Sequence, residues 1–278
     1  MPRMFVTDLD GTLLDPHGRL REEERATLET LARLGVPRVV ATGRNLHSAR
    51  RVMTPEFPVD YLVFASGAGI MDWRTQRLLA TFELETAAVE RACACLMERR
   101  LDFMLHAAVP DNHHFHWFSH GRPNADFERR RERYRDYAQP WQAGCERTVA
   151  ASQFVAIEPP EADAAALHAD IAACLSGLNV VRTTSPLDHR STWIEIFPGS
   201  VSKSAGSAWL AARHGCDVAD VLAVGNDWND VDLLEWAGES RVVGNAVADL
   251  RARHATVAAN DAGGVSEAVR GWLASGGS

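Results

Sequence analysis

Two aspartates, Asp8 and Asp10, stand one leucine apart in the run TDLDGT near the amino terminus. Carboxylates that close repel, so one of them is held protonated or a cation sits beside them. A hard, oxygen-rich site suits Mg2+, which also bridges phosphate oxygens. A carboxylate next to such an ion can attack a phosphate ester while its neighbour carries the proton. Two loop aspartates capping a turn look the same in isolation, so the pair gains meaning from its company.

That company is spread along the chain. Thr42-Gly43-Arg44, Ser66-Gly67 and the loop GNDWND, Gly225 to Asp230, each follow a short apolar run. Small hydroxyl residues and glycines at such places let backbone N–H groups approach a phosphate, and Thr42 can donate one more hydrogen bond. Gly11, Gly43, Arg44 and Asn229 join Thr42 and Lys203 as the expected phosphate-facing set. Lys203 follows Ser202, which reads as a helix N-cap, so its ammonium opposes the helix dipole. A cation placed there is unfavourable unless anions gather beside it; the alternative is an exposed lysine that costs a few tenths of a kcal/mol.

The elements that must carry these residues alternate. The run MFVT ends at Asp8 and reads as a buried strand emptying into a loop. Leu28, Leu31 and Leu34 recur at helical spacing, Gly35 closes that pattern, and Arg38 to Ala41 is again apolar. A helix near Leu46 to Met53 precedes a strand near Tyr61 to Phe64, and Ala205 to His214 precedes Val221 to Val224. Repeated βαβ units imply a parallel sheet with helices on both faces, and ligands at its carboxyl edge. Between Glu83 and Arg190 the texture changes to paired strands and helices, including a helix expected over Glu161 to Leu175. The expected division is therefore a Rossmann-like α/β core from residues 1–83 and 191–278 with an inserted α+β domain at 84–190.

Composition narrows the partners. The 278 residues are 46% hydrophobic and 24% charged, which is ordinary for a folded chain. A net charge of -8 argues against a general attraction to nucleic acid or anionic membrane. Five cysteines, odd in number and sparse, fit a reducing cytoplasm better than a disulfide scaffold, and no long apolar stretch reads as an export signal or anchor. Nothing here fixes an oligomeric state.

DLDGT, TGR, the helix-start lysine and GNDWND, in this order, resemble the haloacid-dehalogenase-like superfamily, and more narrowly its Cof-type, subfamily IIB phosphatases. Gly244-Asn245-Ala246 and Asn260-Asp261 with Gly263-Gly264-Val265 are similar to that branch's carboxyl-terminal signatures, so the resemblance spans nearly the whole chain. It implies a Mg2+-dependent hydrolase of a small phosphorylated metabolite, a sugar phosphate or phosphoglycerate derivative, acting through an aspartyl phosphate. Asp8 matches the nucleophile, Asp10 the acid and base, and Thr42 and Lys203 the residues that hold the phosphoryl group. The implied metal set is Asp8, Asp10, Asn226, Asp227 and Asp230. The branch carries an aspartate where this chain has Asn226, which leaves open which loop residue ligates. A phosphosugar mutase of related design and a weakened phosphometabolite-binding protein are the alternatives. The resemblance also implies that the insertion is a C2-type cap that chooses the substrate, with His113, His114, His116, Trp117, Arg122 and Trp141 as candidates. The histidines and aromatics equally describe a half-buried strand, and Arg129 to Arg135, interspersed with Glu128, Glu132 and Asp136, a solvated helix face.

Overall fold

A computed structural model describes residues 2–160 and 163–275. In chain order the elements are β1 (Met4–Thr7), α1 (Glu22–Arg33), β2 (Arg38–Ala41), α2 (Leu46–Ala49), β3 (Tyr61–Phe64), β4 (Gly69–Asp72) and β5 (Arg77–Thr81). Then follow α3 (Thr86–Glu98), β6 (Phe103–Ala107), β7 (Phe115–Phe118), α4 (Ala125–Arg133), β8 (Ala138–Pro140), α5 (Cys145–Thr148), β9 (Ala151–Glu158), α6 (Ala164–Cys174), β10 (Leu178–Thr184) and β11 (Thr192–Pro198). The chain closes with α7 (Lys203–His214), β12 (Val221–Gly225), α8 (Val231–Trp236), β13 (Glu239–Val242), α9 (Ala248–Arg253) and α10 (Gly264–Ser275). The helix expected from Glu161 is observed as α6; Glu161 itself lies outside the described residues.

The first unit gathers the chain up to Arg44, Ser48–Ala80 and everything from Ser202 on. Its seven-stranded sheet runs β13-β12-β1-β2-β3-β4-β5, with β13 through β3 parallel and β4 antiparallel to β3. Every residue of β1, β2 and β12 is buried, which is why these strands read as near-continuous apolar runs, interrupted by Thr7 and by Arg38, whose guanidinium pairs with Asp60, and not as alternating ones. β1 lies centrally, between β2 and β12, so a residue leaving its carboxyl end emerges in the middle of the sheet's edge.

The second unit is Asn45–His47 with Thr81–Val201. Its six strands run β10-β11-β9-β6-β7-β8, antiparallel except for the β7–β8 pair. On one face Leu105, Phe154 and Ile194 pack with Val89 and Leu96 of α3 and Ile171 of α6. On the other, Met104, Val155 and Trp193 pack with Phe127 of α4 and Tyr134.

The expected core boundary at residue 191 is corrected by β11. Residues Thr192–Pro198 pair with both β10 and β9, so the chain returns to the first unit only at Ser202. Trp193, Ile194 and Ile196 are buried on both faces of their strand, and such a run fits either sheet equally well. The helix expected over Leu46 to Met53 is a single turn, Leu46–Ala49. Among the described residues no helix is long and apolar enough to cross a membrane.

Candidate active site

The site lies wholly within the first unit. The backbone N–H of Asp8 donates to Val224 of β12 at 2.9 Å, the last rung before the two strands part. Beyond it the chain coils tightly, with Leu14 N–H bonded to the Leu9 carbonyl, and Gly11 takes φ +73°. That left-handed turn suits glycine. A Cβ on Gly11 would also sit 2.6 Å from the Asn226 side-chain amide, so the DLDGT loop and the GNDWND loop touch only because this residue is small.

Lys203 is the electrostatic centre. Ser202 caps α7 by accepting from Ala205 N–H at 3.0 Å, as the sequence predicts, and the next residue is a fully buried lysine. Its Nζ donates to Asp8 Oδ1 at 2.7 Å and to Asp230 Oδ1 at 2.6 Å. Burial alone would lower the Lys203 ammonium's pKa, but Asp230 and Asp8 together raise it above its ordinary value. For Asp8, burial and then the Asp230 charge push the carboxyl up to about 7 against the pull of Lys203. A third acid eases the strained helix start, because Asp232 Oδ2 accepts from Ser204 N–H at 2.8 Å.

Asp230 is buried and spent: its Oδ2 accepts from the backbone N–H of Asn226 at 2.8 Å and of Asp227 at 3.1 Å. It shapes the loop, and Gly225 permits it, since a Cβ there would lie 2.7 Å from the Asp230 side chain. Asp227 serves as N-cap of the turn Trp228–Asp230, which also carries the half-buried Asn229. Asp230 and Asp227 were expected among the metal ligands; the geometry gives both of them structural work in the loop. Nor does the Asp10 carboxylate join Asp8. It is clasped by Arg44, with Nε 2.6 Å from Oδ2 and Nη2 2.7 Å from Oδ1. Arg44, expected on phosphate, thus turns this edge of its guanidinium to an acid, a bidentate pairing that fixes position as well as charge.

Asp8, Asn226 and the Asp10 backbone, all three in the expected set, do come together, with Thr12 beside them. The end of the Asn226 side chain lies 3.1 Å from Thr12 Oγ1, 3.3 Å from Asp8 Oδ2 and 3.2 Å from the Asp10 backbone carbonyl. With the amide nitrogen turned toward them it donates to all three. With its oxygen turned inward, a carboxylate, a carbonyl, an amide and a hydroxyl oxygen meet, a donor set of the kind Mg2+ takes. The residues fit such an ion. Among the described residues no three His, Cys, Asp or Glu side chains converge as a metal cage.

Thr42 is buried at the end of β2, where its Oγ1 accepts from Arg44 N–H at 3.1 Å, and Gly43 follows it half-buried. Four contributors escaped the sequence reading of the site: Thr12, Asp232, Asn245 and Asn260. Asn245 Nδ2 donates to the Gly11 carbonyl at 2.8 Å, its Oδ1 accepts from Asn260 N–H at 2.9 Å, and Asn260 Nδ2 donates to the Leu14 carbonyl at 2.7 Å. The signal was present in the carboxyl-terminal motifs, without an indication of what they hold.

A family model for haloacid dehalogenase-like hydrolases matches residues 5–269. The chain belongs to this family. The hydrolase is 24% identical over 285 residues to YxeH of Bacillus subtilis (strain 168), covering 97% of each chain. It is likewise 24% identical over 267 residues to the HMP-PP phosphatase of Serratia proteamaculans (strain 568), covering 90% of this chain and 87% of that one. Among solved structures, BT1666 of Bacteroides thetaiotaomicron, a phosphatase of the same superfamily, aligns with a TM-score of 0.78 at 18% identity over 98% of this chain and 96% of that one. The subclass IIB sugar phosphatase BT4131 aligns at 0.75 and 16% over 98% and 99%. The α/β fold with a parallel core sheet is thus shared across the superfamily, and this hydrolase is an enzyme of its phosphatase type.

Proposed function

We propose that the protein hydrolyses a small phosphate monoester, with Asp8 as nucleophile, Asp10 as acid and base, and Mg2+ as cofactor. The observation that carries the reading is the buried Lys203 held between Asp8 and Asp230, beside the oxygens gathered around Asn226. Buried lysines are rare unless paired, and one placed at a helix start answers a site that handles negative charge.

In the proposed cycle an Asp8 oxygen attacks phosphorus, the P–O bond to the alcohol breaks, and Asp10 gives its proton to the leaving oxygen. Asp10 then takes a proton from water as that water attacks the aspartyl phosphate, releasing inorganic phosphate and restoring Asp8. Arg44 holds the Asp10 carboxylate in place for both transfers. Lys203 draws the Asp8 carboxyl back toward ionisation against burial and Asp230, and offsets charge on the phosphoryl group. Thr42 and the backbone of Gly43 align that group. Asp8 Oδ2, the Asp10 carbonyl and the Asn226 amide would hold the magnesium ion, which when bound neutralises phosphate charge. The substrate is a small phosphorylated metabolite; the name of the Serratia relative supports that class.

The test is release of inorganic phosphate from p-nitrophenyl phosphate with Mg2+. Asp8→Asn is expected to remove at least about a thousandfold of the activity, a barrier increase of roughly 4 kcal/mol, while circular dichroism stays native. Near-normal turnover by Asp8→Asn would refute the nucleophile assignment.

A further inference from the structure

Four of the five cysteines lie in the second unit, and they fall into two neighbouring pairs. Cys93 of α3 lies near Cys145 of α5, and Cys95 of α3 meets Cys174 at the end of α6. Positions two apart on a helix face different ways, so one helix serves two separate contacts. The contact between α3 and α6 is the more closely defined. Cys95 S–H donates to Cys174 Sγ, and one turn away Arg99 clasps Asp170, with Nε 2.6 Å from Oδ2 and Nη2 3.2 Å from Oδ1. Cys95 comes one turn before Arg99 and Cys174 one turn after Asp170, so the two helices run antiparallel and both pairs share one seam. Arg99 Nη1 also donates to the Cys95 carbonyl at 3.1 Å, which holds the guanidinium at this turn.

The two sulfurs differ in access. Cys95 is 3% exposed and belongs to the core cluster with Leu96, Ile171 and Leu175, whereas Cys174 is exposed, alone among the five cysteines. Burial, then the hydrogen bond to Cys174, pushes the Cys95 thiol up to about 12, so the shared proton stays on Cys95. That leaves the Cys174 sulfur as an acceptor at the surface, with the Arg99 guanidinium near enough to interact with both sulfurs. A neighbouring cation favours the thiolate, the form that reacts with oxidants. The other pair has no such entrance, because Cys93 and Cys145 are both buried and burial pushes the Cys93 thiol up to about 11.

We propose that Cys95 and Cys174 form a reversible disulfide site that straps α3 to α6, with Cys174 meeting a peroxide and Cys95 resolving the product. The Cys174 sulfur takes one oxygen from hydrogen peroxide as the O–O bond breaks, becoming a sulfenic acid while water leaves. The Cys95 sulfur then attacks the Cys174 sulfur, the S–O bond breaks, and the departing hydroxide takes the Cys95 proton as a second water. The two sulfurs give up one electron each and the peroxide takes both. A buried thiol is a slow nucleophile, but one already held against its target needs no encounter. The resulting bond closes the chain between residues 95 and 174, which restricts the unfolded chain and so favours the folded one. The site lies within the second unit and does not depend on the reaction proposed for Asp8.

The test is to treat the full reduced chain with hydrogen peroxide, digest it without reductant and map the peptides by mass spectrometry. A peptide pair joining Cys95 to Cys174 is expected, with the loss of two titratable thiols and their recovery in dithiothreitol. The oxidised chain is expected to melt about 5 °C or more above the reduced one, a gain that Cys174→Ser removes. In Cys95→Ser, dimedone is expected to trap Cys174 as a sulfenic acid, because its resolving partner is gone. Cys174→Ser alters an exposed side chain and leaves the fold intact, so it remains readable should Cys95→Ser fold poorly. A link between Cys93 and Cys145 in place of this one, Cys174 recovered unreacted or as sulfinic or sulfonic acid without a link, or an oxidised chain that melts no higher than the reduced one overturns the strap.

Discussion

Asn226 sits where a carboxylate would be the stronger magnesium ligand, and its neighbours explain both the benefit and the cost of the amide. It lies beside Asp8 Oδ2, whose carboxyl is already pushed up by burial and by Asp230. A second charge there repels Asp8 whenever no divalent ion offsets it. Asn226→Asp is therefore expected to lower the Mg2+ concentration for half-maximal activity by about tenfold, and to lower the melting temperature in EDTA by a few degrees. Titration of activity against Mg2+ and thermal melts with and without chelator check both halves; an unchanged Mg2+ requirement removes Asn226 from the ligand set. The sequence singled out Asp8, Thr42 and Asn226 because each follows an apolar run, Asp10 because it stands one leucine past Asp8, and Lys203 because Ser202 before it reads as a helix N-cap. Their division of labour was not legible in it. Nothing in the spacing tells that Arg44 clasps Asp10, or that Asp230 gives an oxygen to Lys203, because those pairings join residues 34 and 27 positions apart through the fold.

At the scale of elements, the loop after β1 has little regular structure of its own and is held from outside. Asn245 and Asn260 grip the Gly11 and Leu14 carbonyls from the carboxyl-terminal part of the chain. Asn260→Ala leaves a buried carbonyl unmet, at a cost of about 1–3 kcal/mol. It should also reduce kcat by roughly tenfold to a hundredfold, because small displacements of a nucleophile are expensive. Chemical denaturation together with steady-state kinetics reads the two effects separately, and a kcat within twofold of the parent would show that this grip only stabilises. The parallel core strands were legible as short, near-continuous apolar runs. β11 was misplaced because an apolar run carries no mark of the sheet it joins. The arginine-rich helix was read as a solvated face, whereas Arg130 is buried over Trp193, a placement its neighbours Arg129 and Arg131 hide in any one-dimensional pattern.

For the whole molecule, a buried histidine on β6 predicts a response to acid. His106 has an ordinary value near 6.5 and is pushed down to about 3 by burial, with Arg130 and His113 adding to it and the Asn112 carbonyl opposing. Below about pH 6.5 the unfolded chain takes up a proton that the folded chain refuses, so stability is lost as pH falls from 6.5 toward 3 and is fully present above that window. The slope from this one group is at most roughly 1.4 kcal/mol per pH unit. Urea unfolding at pH 7.5 and pH 4.5 should show a smaller loss for His106→Gln than for the parent chain; equal losses would mean that other groups carry the acid response.

The bond from Lys203 to Asp8 spans 195 positions of sequence, and the whole of β6 to β11 is threaded between them. During synthesis β1 therefore emerges long before β12, its neighbour on one side, and must wait unpaired along that edge. Until the ribosome has delivered α7 and β12, the Asp8 carboxylate has neither its ammonium partner nor its last backbone rung. A nascent chain halted at residue 201 can thus complete the second sheet while remaining without a formed catalytic centre.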